Sequence, residues 1–281
     1  MKRTLLCLLV LLLLPALSLA ADSERPDLAH LFTERGLDGC FVLQKGEDII
    51  RVNSARAAMR FRPASTFKIV NTLAALEGGV APGPDYLIPW DGVIREVSAW
   101  NADLTFEQAF RASAVWWFVE LGKRNGRERL GAAMRALSYG NADASGSDRF
   151  WLDGPLRISA NEQLRVMDGL ARGTVPFTAR SQQLLRQMML LDQSVGQGLD
   201  AGGAWALYGK TGAAAQGGGA GAQDVPVGWL VGYVLRGGQA YPFALNISPK
   251  PGSGQGLAEL MPARMLLVRK LLARLGILPE T

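Results

Sequence analysis

The 281-residue chain holds a single histidine and two cysteines, and both shortages remove whole classes of chemistry. With His30 alone no multi-histidine metal centre can be assembled, and a serine–histidine relay would have to rest on that one residue. His30 lies in Asp27-Leu28-Ala29-His30-Leu31-Phe32, an amphipathic run that reads as a surface or half-buried helical position. Cys7 falls in an apolar leader, which leaves Cys40 without a partner for an internal disulfide. There is no run of Lys and Arg and no basic–aromatic interleaving, so the formal net charge of +5 does not describe a nucleic-acid surface. No internal repeat is visible.

What is present begins with that leader. Lys2-Arg3 precede an apolar run from Leu5 to Leu14, broken by Pro15 and closed by Ser18-Leu19-Ala20. The run falls short of the ~20 residues a membrane span needs, so it reads as a cleaved secretory signal over residues 1–20. Residues 21–281 then form one catalytic domain in the periplasm, with no stable membrane association once the signal is gone. A content of 48% hydrophobic and 20% charged residues suits a well-filled core.

Along the chain, a short helix near Pro26 to Gly36 is followed by Phe41-Val42-Leu43 and Ile49 to Val52 around Lys45-Gly46-Glu47, a hairpin pattern. Pro63 precedes a helix with an apolar stripe from Phe67 to Leu76, ended by Gly78-Gly79. Residues of roughly 80–195 read as mostly helical. Thr105-Phe106-Glu107-Gln108 is a capping box opening a run to Leu121, and Ser159-Ala160-Asn161-Glu162 opens another. Strand patterns return at Ala206 to Tyr208, Trp229 to Leu235 and Tyr241 to Ile247, and an amphipathic helix of about Leu257 to Leu275 closes the chain. The expected fold class is α+β: an antiparallel sheet flanked by N- and C-terminal helices, with an all-helical subdomain inserted and a cleft at the junction. The Ala- and Gly-rich stretch from Ala213 to Asp224 reads as a flexible loop between strands. Its Gly217 to Ala222 satisfies a relaxed dinucleotide fingerprint, but a strand follows where a helix is required, which rejects a nucleotide site.

Ser65 and Lys68 lie one helical turn apart at a helix start, where free N–H groups and positive potential favour a developing oxyanion. A nucleophile beside a possible base suggests covalent acyl transfer, and with histidine scarce Lys68 is the obvious base. Lys210-Thr211-Gly212 stands at a strand end, where glycine lets a ligand approach closely.

These residues, with Ser113-Ala114-Val115, Tyr139-Gly140-Asn141 and Phe150-Trp151-Leu152-Asp153-Gly154-Pro155-Leu156 in that order, resemble the motifs of the serine penicillin-recognising enzymes, and among them the class D β-lactamases or oxacillinases. The resemblance covers nearly all of residues 21–281. It implies hydrolysis of a small-molecule β-lactam through an acyl-enzyme on Ser65, conferring antibiotic resistance, with no metal and no dissociable cofactor. It further implies that buried Lys68 takes up CO2 and acts as a carboxylated general base for acylation and deacylation, in surroundings supplied by Val115 and Trp151. A lysine of pKa near 10.4 is neutral at pH 7 only about once in a few thousand, and burial can lower that pKa by about 3 to 5. By the same resemblance Trp151 hydrogen-bonds the carbamate, the N–H groups of Ser65 and Ala213 form the oxyanion hole, and Ser113 returns the proton to the leaving nitrogen. Lys210, Thr211 and Gly212 line the substrate site, and counting back from Gly276-Ile277-Leu278 puts Arg264 at the carboxylate-binding arginine. Trp100 is assigned to the core or the pocket wall, and Tyr139-Gly140-Asn141 to a turn that shapes the site.

Glu162 belongs to its capping box, in contrast to the glutamate that activates water in class A enzymes. Ala213 stands where class D chains often carry a bulky residue, which implies a more open and mobile pocket edge. Two other functions remain in view: a β-lactam sensor domain that stays acylated, and a D-Ala-D-Ala transpeptidase or carboxypeptidase. Sensors follow several membrane spans, and transpeptidases usually show Ser-x-Asn where this chain has Ser113-Ala114-Val115. A monomer or a homodimer fits equally.

Overall fold

The computed structural model describes residues 21–194, 203–215 and 225–280. The expected signal at residues 1–20 and most of the Gly-rich stretch lie outside them. Among the described residues there are eleven strands: β1 (Asp22–Glu24), β2 (Leu37–Lys45), β3 (Asp48–Val52), β4 (Arg60–Phe61), β5 (Leu87–Ile88), β6 (Leu104–Thr105), β7 (Ile158–Ser159), β8 (Leu190–Ser194), β9 (Trp205–Ala214), β10 (Val227–Arg236) and β11 (Gln239–Pro249). The helices are α1 (His30–Thr33), α2 (Ser54–Ala58), α3 (Lys68–Glu77), α4 (Phe106–Arg111), α5 (Val115–Ala136), α6 (Ala160–Arg172), α7 (Ala179–Met189) and α8 (Leu257–Arg274).

Seven strands form one sheet in the order β1-β3-β2-β11-β10-β9-β8. All of its pairings are antiparallel except β1 with β3, so the expected antiparallel sheet gains a parallel edge. Strand β10 shows why the centre reads as a continuous apolar run. Leu230 and Val234 pack against α8 and the N-terminal helical turn, while Trp229, Val231 and Tyr233 face the larger core under α3, α5 and α6. A strand covered on both faces needs apolar residues at every position. Cys40 on β2 is fully buried as a free thiol, and burial pushes its pKa up to about 12.

Three expectations are corrected. The N-terminal helix is only a 3-10 turn (Pro26–Leu28) followed by one turn of α1, on which His30 is exposed and its Nδ1 donates to the Asp27 carbonyl at 2.7 Å. The run expected from Thr105 to Leu121 does start with its capping box, but α4 stops at Arg111 and α5 restarts at Val115, because Ser113 adopts a left-handed φ of 56° that no helix accommodates. Ala213 and Ala214, assigned to a flexible loop, are the last two residues of β9, paired with Gly228 and Val227 of β10.

Candidate active site

The serine turn is built from strained and close-packed pieces. Ala64 to Phe67 forms a 3-10 turn that leads directly into α3, so Ser65 precedes the α-helix by one turn and Lys68 opens it. Ala64 has a φ of 50°, and its N–H donates to the Trp151 carbonyl at 3.0 Å. A non-glycine residue held at positive φ persists where its surroundings over-determine it, a recurring property of functional sites. Thr66 fixes the turn from below: its hydroxyl donates to the Pro63 carbonyl at 2.7 Å, accepts from Gln163 Nε2 at 2.8 Å, and lies 3.3 Å from the Tyr139 hydroxyl.

From the other side comes β9. Strand β8 pairs only with the Trp205–Tyr208 part of β9, which leaves the edge from Gly209 onward to face the serine turn. At Gly212 an added Cβ would lie 3.0 Å from the Pro63 carbonyl oxygen and 3.2 Å from Ser65 N, so glycine is what permits this approach.

The catalytic candidates meet here. Lys68 is fully buried, and its Nζ donates to Ser65 Oγ at 2.8 Å. Phe118 presents its ring 5.2 Å from the same nitrogen. Burial, reinforced by the positive charge of Lys210, drives the Lys68 pKa well below the ordinary lysine value. Once the amine is neutral, the same contact can run the other way, from the Ser65 hydroxyl to the Nζ lone pair. Ser113 receives a hydrogen bond from Lys210 Nζ at 3.0 Å. Lys210 also donates to the Thr211 carbonyl at 3.1 Å, and burial together with the Arg264 charge lowers its pKa to about 7. Arg264, on α8, is buried to 7% exposure and donates from Nη1 to the Gly212 carbonyl at 2.7 Å. Burial lowers its pKa to about 10. Neither Lys210 nor Arg264 forms an ion pair with a carboxylate among the described residues, so this side of the site favours an anionic ligand.

The cleft above Ser65 has a volume of about 560 Å³. Ser65, Ser113, Val115, Trp100, Thr211 to Ala215 and Arg264 line it, while Lys68 lies beneath its floor. Trp100 is a wall residue, anchored by Nε1 donating to the Ala112 carbonyl at 2.9 Å. Trp151 is buried, stacked on Phe67 at 5.2 Å, and its Nε1 has no acceptor among the described residues.

Residues 40–265 match the family described as the penicillin binding protein transpeptidase domain. Among curated proteins, the chain is 32% identical over 262 residues to the β-lactamase OXA-48 of Klebsiella pneumoniae, covering 92% of this chain and 93% of that one. It is 36% identical over 214 residues to the probable β-lactamase YbxI of Bacillus subtilis, covering 75% and 74%. Among solved structures, the class D β-lactamase FUS-1 (OXA-85) of Fusobacterium nucleatum superposes with a TM-score of 0.80 at 30% identity, over 91% of this chain and 99% of that one.

The chain belongs to the class D β-lactamases.

Ser65, Ser113, Val115, Thr211, Gly212, Ala213, Arg264 and Trp100 line one cleft, and Lys68 and Lys210 reach it through their hydrogen bonds to Ser65 and Ser113. Ser113 is held at the non-helical junction between α4 and α5, not in mid-helix. Tyr139 is buried away from the cleft beside Thr66 and Gln163, and burial raises its pKa, which agrees with a shaping role for Tyr139-Gly140-Asn141. At Gly140 a side chain would collide with the Arg157 carbonyl, and its φ is 57°. Glu162 completes its capping box with Ser159 and pairs with Arg60, far in role from any water-activating base.

Several wall and support residues escaped the sequence. Leu257 and Met261 enter the cleft from the first turns of α8, and Arg149 and Val97 from loops. In sequence these are ordinary apolar or charged positions with no distinguishing spacing. Gln163 carried one signal, its place directly after a capping-box glutamate, but nothing that pointed to Thr66.

Proposed function

We propose that this protein hydrolyses the β-lactam ring of penicillin-type antibiotics through an acyl-enzyme on Ser65. The observation that carries the reading is the fully buried Lys68, whose Nζ stands 2.8 Å from Ser65 Oγ. In the first half-reaction Ser65 Oγ bonds to the lactam carbonyl carbon, the ring C–N bond breaks, and the Ser65 proton passes toward Lys68. Ser113, with Lys210 behind it at 3.0 Å, is positioned to return a proton to the departing nitrogen. Thr211 and Arg264 on the cleft wall, with Lys210 behind Ser113, receive the substrate carboxylate. The Ser65 and Ala213 amides serve as the oxyanion hole, a role supported by the close approach of β9 to the serine turn. In the second half-reaction water cleaves the Ser65 ester and releases the ring-opened acid.

Two features of the site fit a CO2-modified Lys68. The amine is kept nucleophilic by burial, and the indole Nε1 of buried Trp151 is a donor without an acceptor among the described residues. CO2 taken up there, with an N–C bond formed and one N–H proton released, supplies a carbamate as general base for both half-reactions. The apolar leader at residues 1–20 supports export to the periplasm, where such substrates are met.

Purified protein lacking residues 1–20 is expected to turn over a chromogenic cephalosporin repeatedly, with a rate that rises on adding bicarbonate. A single stoichiometric burst would overturn the hydrolase reading in favour of a sensor. Lys68→Ala is expected to bind penicillin still, yet to lose steady-state turnover by at least a hundredfold, within the range assigned to a general base. Undiminished turnover in that variant would refute the role of Lys68.

A further inference from the structure

Helix α5 interrupts itself at Gly126, whose φ of 76° and ψ of 153° lie outside helical space. Only glycine takes up that backbone without strain. The break is followed at once by Arg127, which reaches across to the loop that carries Trp151. Its guanidinium donates to the carbonyls of Ala144, Gly146 (3.1 Å) and Ser147 (2.7 Å), and pairs with Asp148 at 3.2 Å. It also lies 4.8 Å over the ring of Phe150. Phe150 meets Trp151 edge-on at 5.2 Å and Phe67 edge-on at 5.0 Å, and Phe67 is the residue before Lys68. One guanidinium therefore terminates a continuous series of contacts that ends at the catalytic lysine's neighbour.

The indole needs such a restraint. A cavity of about 240 Å³ lies beside it, and Arg127 and Asp148 line it together with Gly122, Leu130, Phe150 and Trp151. The nearest approach of Gly122 to the indole is only ordinary contact, 3.9 Å from an added Cβ. Packing alone leaves the ring room to shift, whereas close-packed rings are fixed by their neighbours.

We infer that Arg127 is a positioning residue: by clamping the 144–150 loop it keeps Trp151 stacked on Phe67, and thereby sets how firmly Lys68 retains CO2. The inference rests on the carbamate reading above. Partners that orient a functional ligand from outside typically change its affinity by about 10–100-fold when removed. Among the described residues Arg127 makes its contacts outside the cleft lining, so its loss acts on the loaded fraction of the protein.

The test titrates the full-length protein freed of its leader with ¹³C-bicarbonate, following the lysine carbamate signal by NMR and, in parallel, the half-saturating bicarbonate for hydrolysis. Arg127→Ala is expected to need roughly tenfold more bicarbonate for both readouts. At saturating bicarbonate its kcat and KM are expected to return to within about twofold of the parent. Asp148→Asn, which leaves the three carbonyl contacts in place, is expected to move the midpoint less than about twofold. A purely structural arginine would lower Tm without moving the midpoint, so an Arg127→Ala midpoint equal to the parent's overturns the inference. Should that variant fail to fold, Arg127→Lys decides by the same criterion, since a single ammonium cannot reproduce the fan of contacts. A parent protein with no carbamate signal overturns the carbamate reading and the inference with it. A parent signal that Arg127→Ala leaves untouched overturns the inference alone.

Discussion

Glu162 invites a decisive experiment, because a glutamate near the start of a helix could be mistaken for a hydrolytic base and two substitutions separate the possibilities. In the folded protein its carboxylate accepts from Ser159 N at 2.8 Å and from Ser159 Oγ at 2.9 Å, and pairs with Arg60. Burial pushes its pKa up, but hydrogen bonds from Arg60 and Ser159 outweigh burial and hold it below the usual glutamate value. Glu162→Ala removes the capping box, at about 0.5–2 kcal/mol. It also removes an ion pair whose arginine is 45% exposed, which screening limits to less than about 1 kcal/mol. The combined loss of about 0.5–3 kcal/mol should lower Tm by roughly 1–12 °C in a domain of this size. Glu162→Gln keeps an acceptor for the cap and loses only the ion pair, so its Tm should fall by about 1–3 °C. A depressed carboxylate pKa contributes stability that is present above the unfolded value of about 4.3 and is lost as pH falls through the folded one. The gap between parent and Glu162→Ala should therefore narrow in thermal melts taken below about pH 4. Both variants should hydrolyse β-lactam at close to the parent kcat at a temperature where they are folded. A loss of a hundredfold or more in Glu162→Gln would refute the reasoning and make Glu162 a participant in the chemistry.

Two further outcomes concern the cationic wall. Lys210, lowered to about 7, should lose its positive charge as pH rises, so kcat/KM for an anionic β-lactam should show an alkaline limb centred at about pH 7. A pH–rate profile flat from about pH 6 to 9 would contradict this assignment. Arg264→Ala removes one of the two causes lowering the Lys210 pKa as well as a charged contact to substrate, so KM should rise roughly tenfold or more while the alkaline limb moves to higher pH. An increase in KM without displacement of the limb would show that Arg264 and Lys210 do not sense each other.

The parts of the fold legible in the sequence were those written in local pattern. Both capping boxes appear where Thr105 and Ser159 place them, and the hairpins β2–β3 and β10–β11 turn at their glycines. What escaped depended on contacts distant in sequence. Strand β8 is a short edge strand of alternating exposure that exists only because β9 is there to pair with it, and β1 borrows its extended form from β3. The break at Ser113 was hidden for a related reason: serine has no intrinsic demand for positive φ, and only the need to meet Lys210 at 3.0 Å accounts for its place there. At the site, residue types at fixed spacing identified the reacting groups, whereas the order of their contacts did not follow from spacing. Thr66, Tyr139 and Gln163 lie on three separate elements, and no periodicity connects them.

The strand order carries a consequence for how the enzyme comes into being. Strand β2 is completed by β11, and the serine turn by β9, so both halves of the centre wait for the last third of the chain. A polypeptide made from its N-terminus exposes Ser65 long before Lys210 or Arg264 exists to stand beside it, and such distant pairings are slow to close. Until the final strands dock, Ser65 and Lys68 lack Lys210 and Arg264 beside them. The complete centre is thus a late product of assembly, finished only when the C-terminal strands join the sheet.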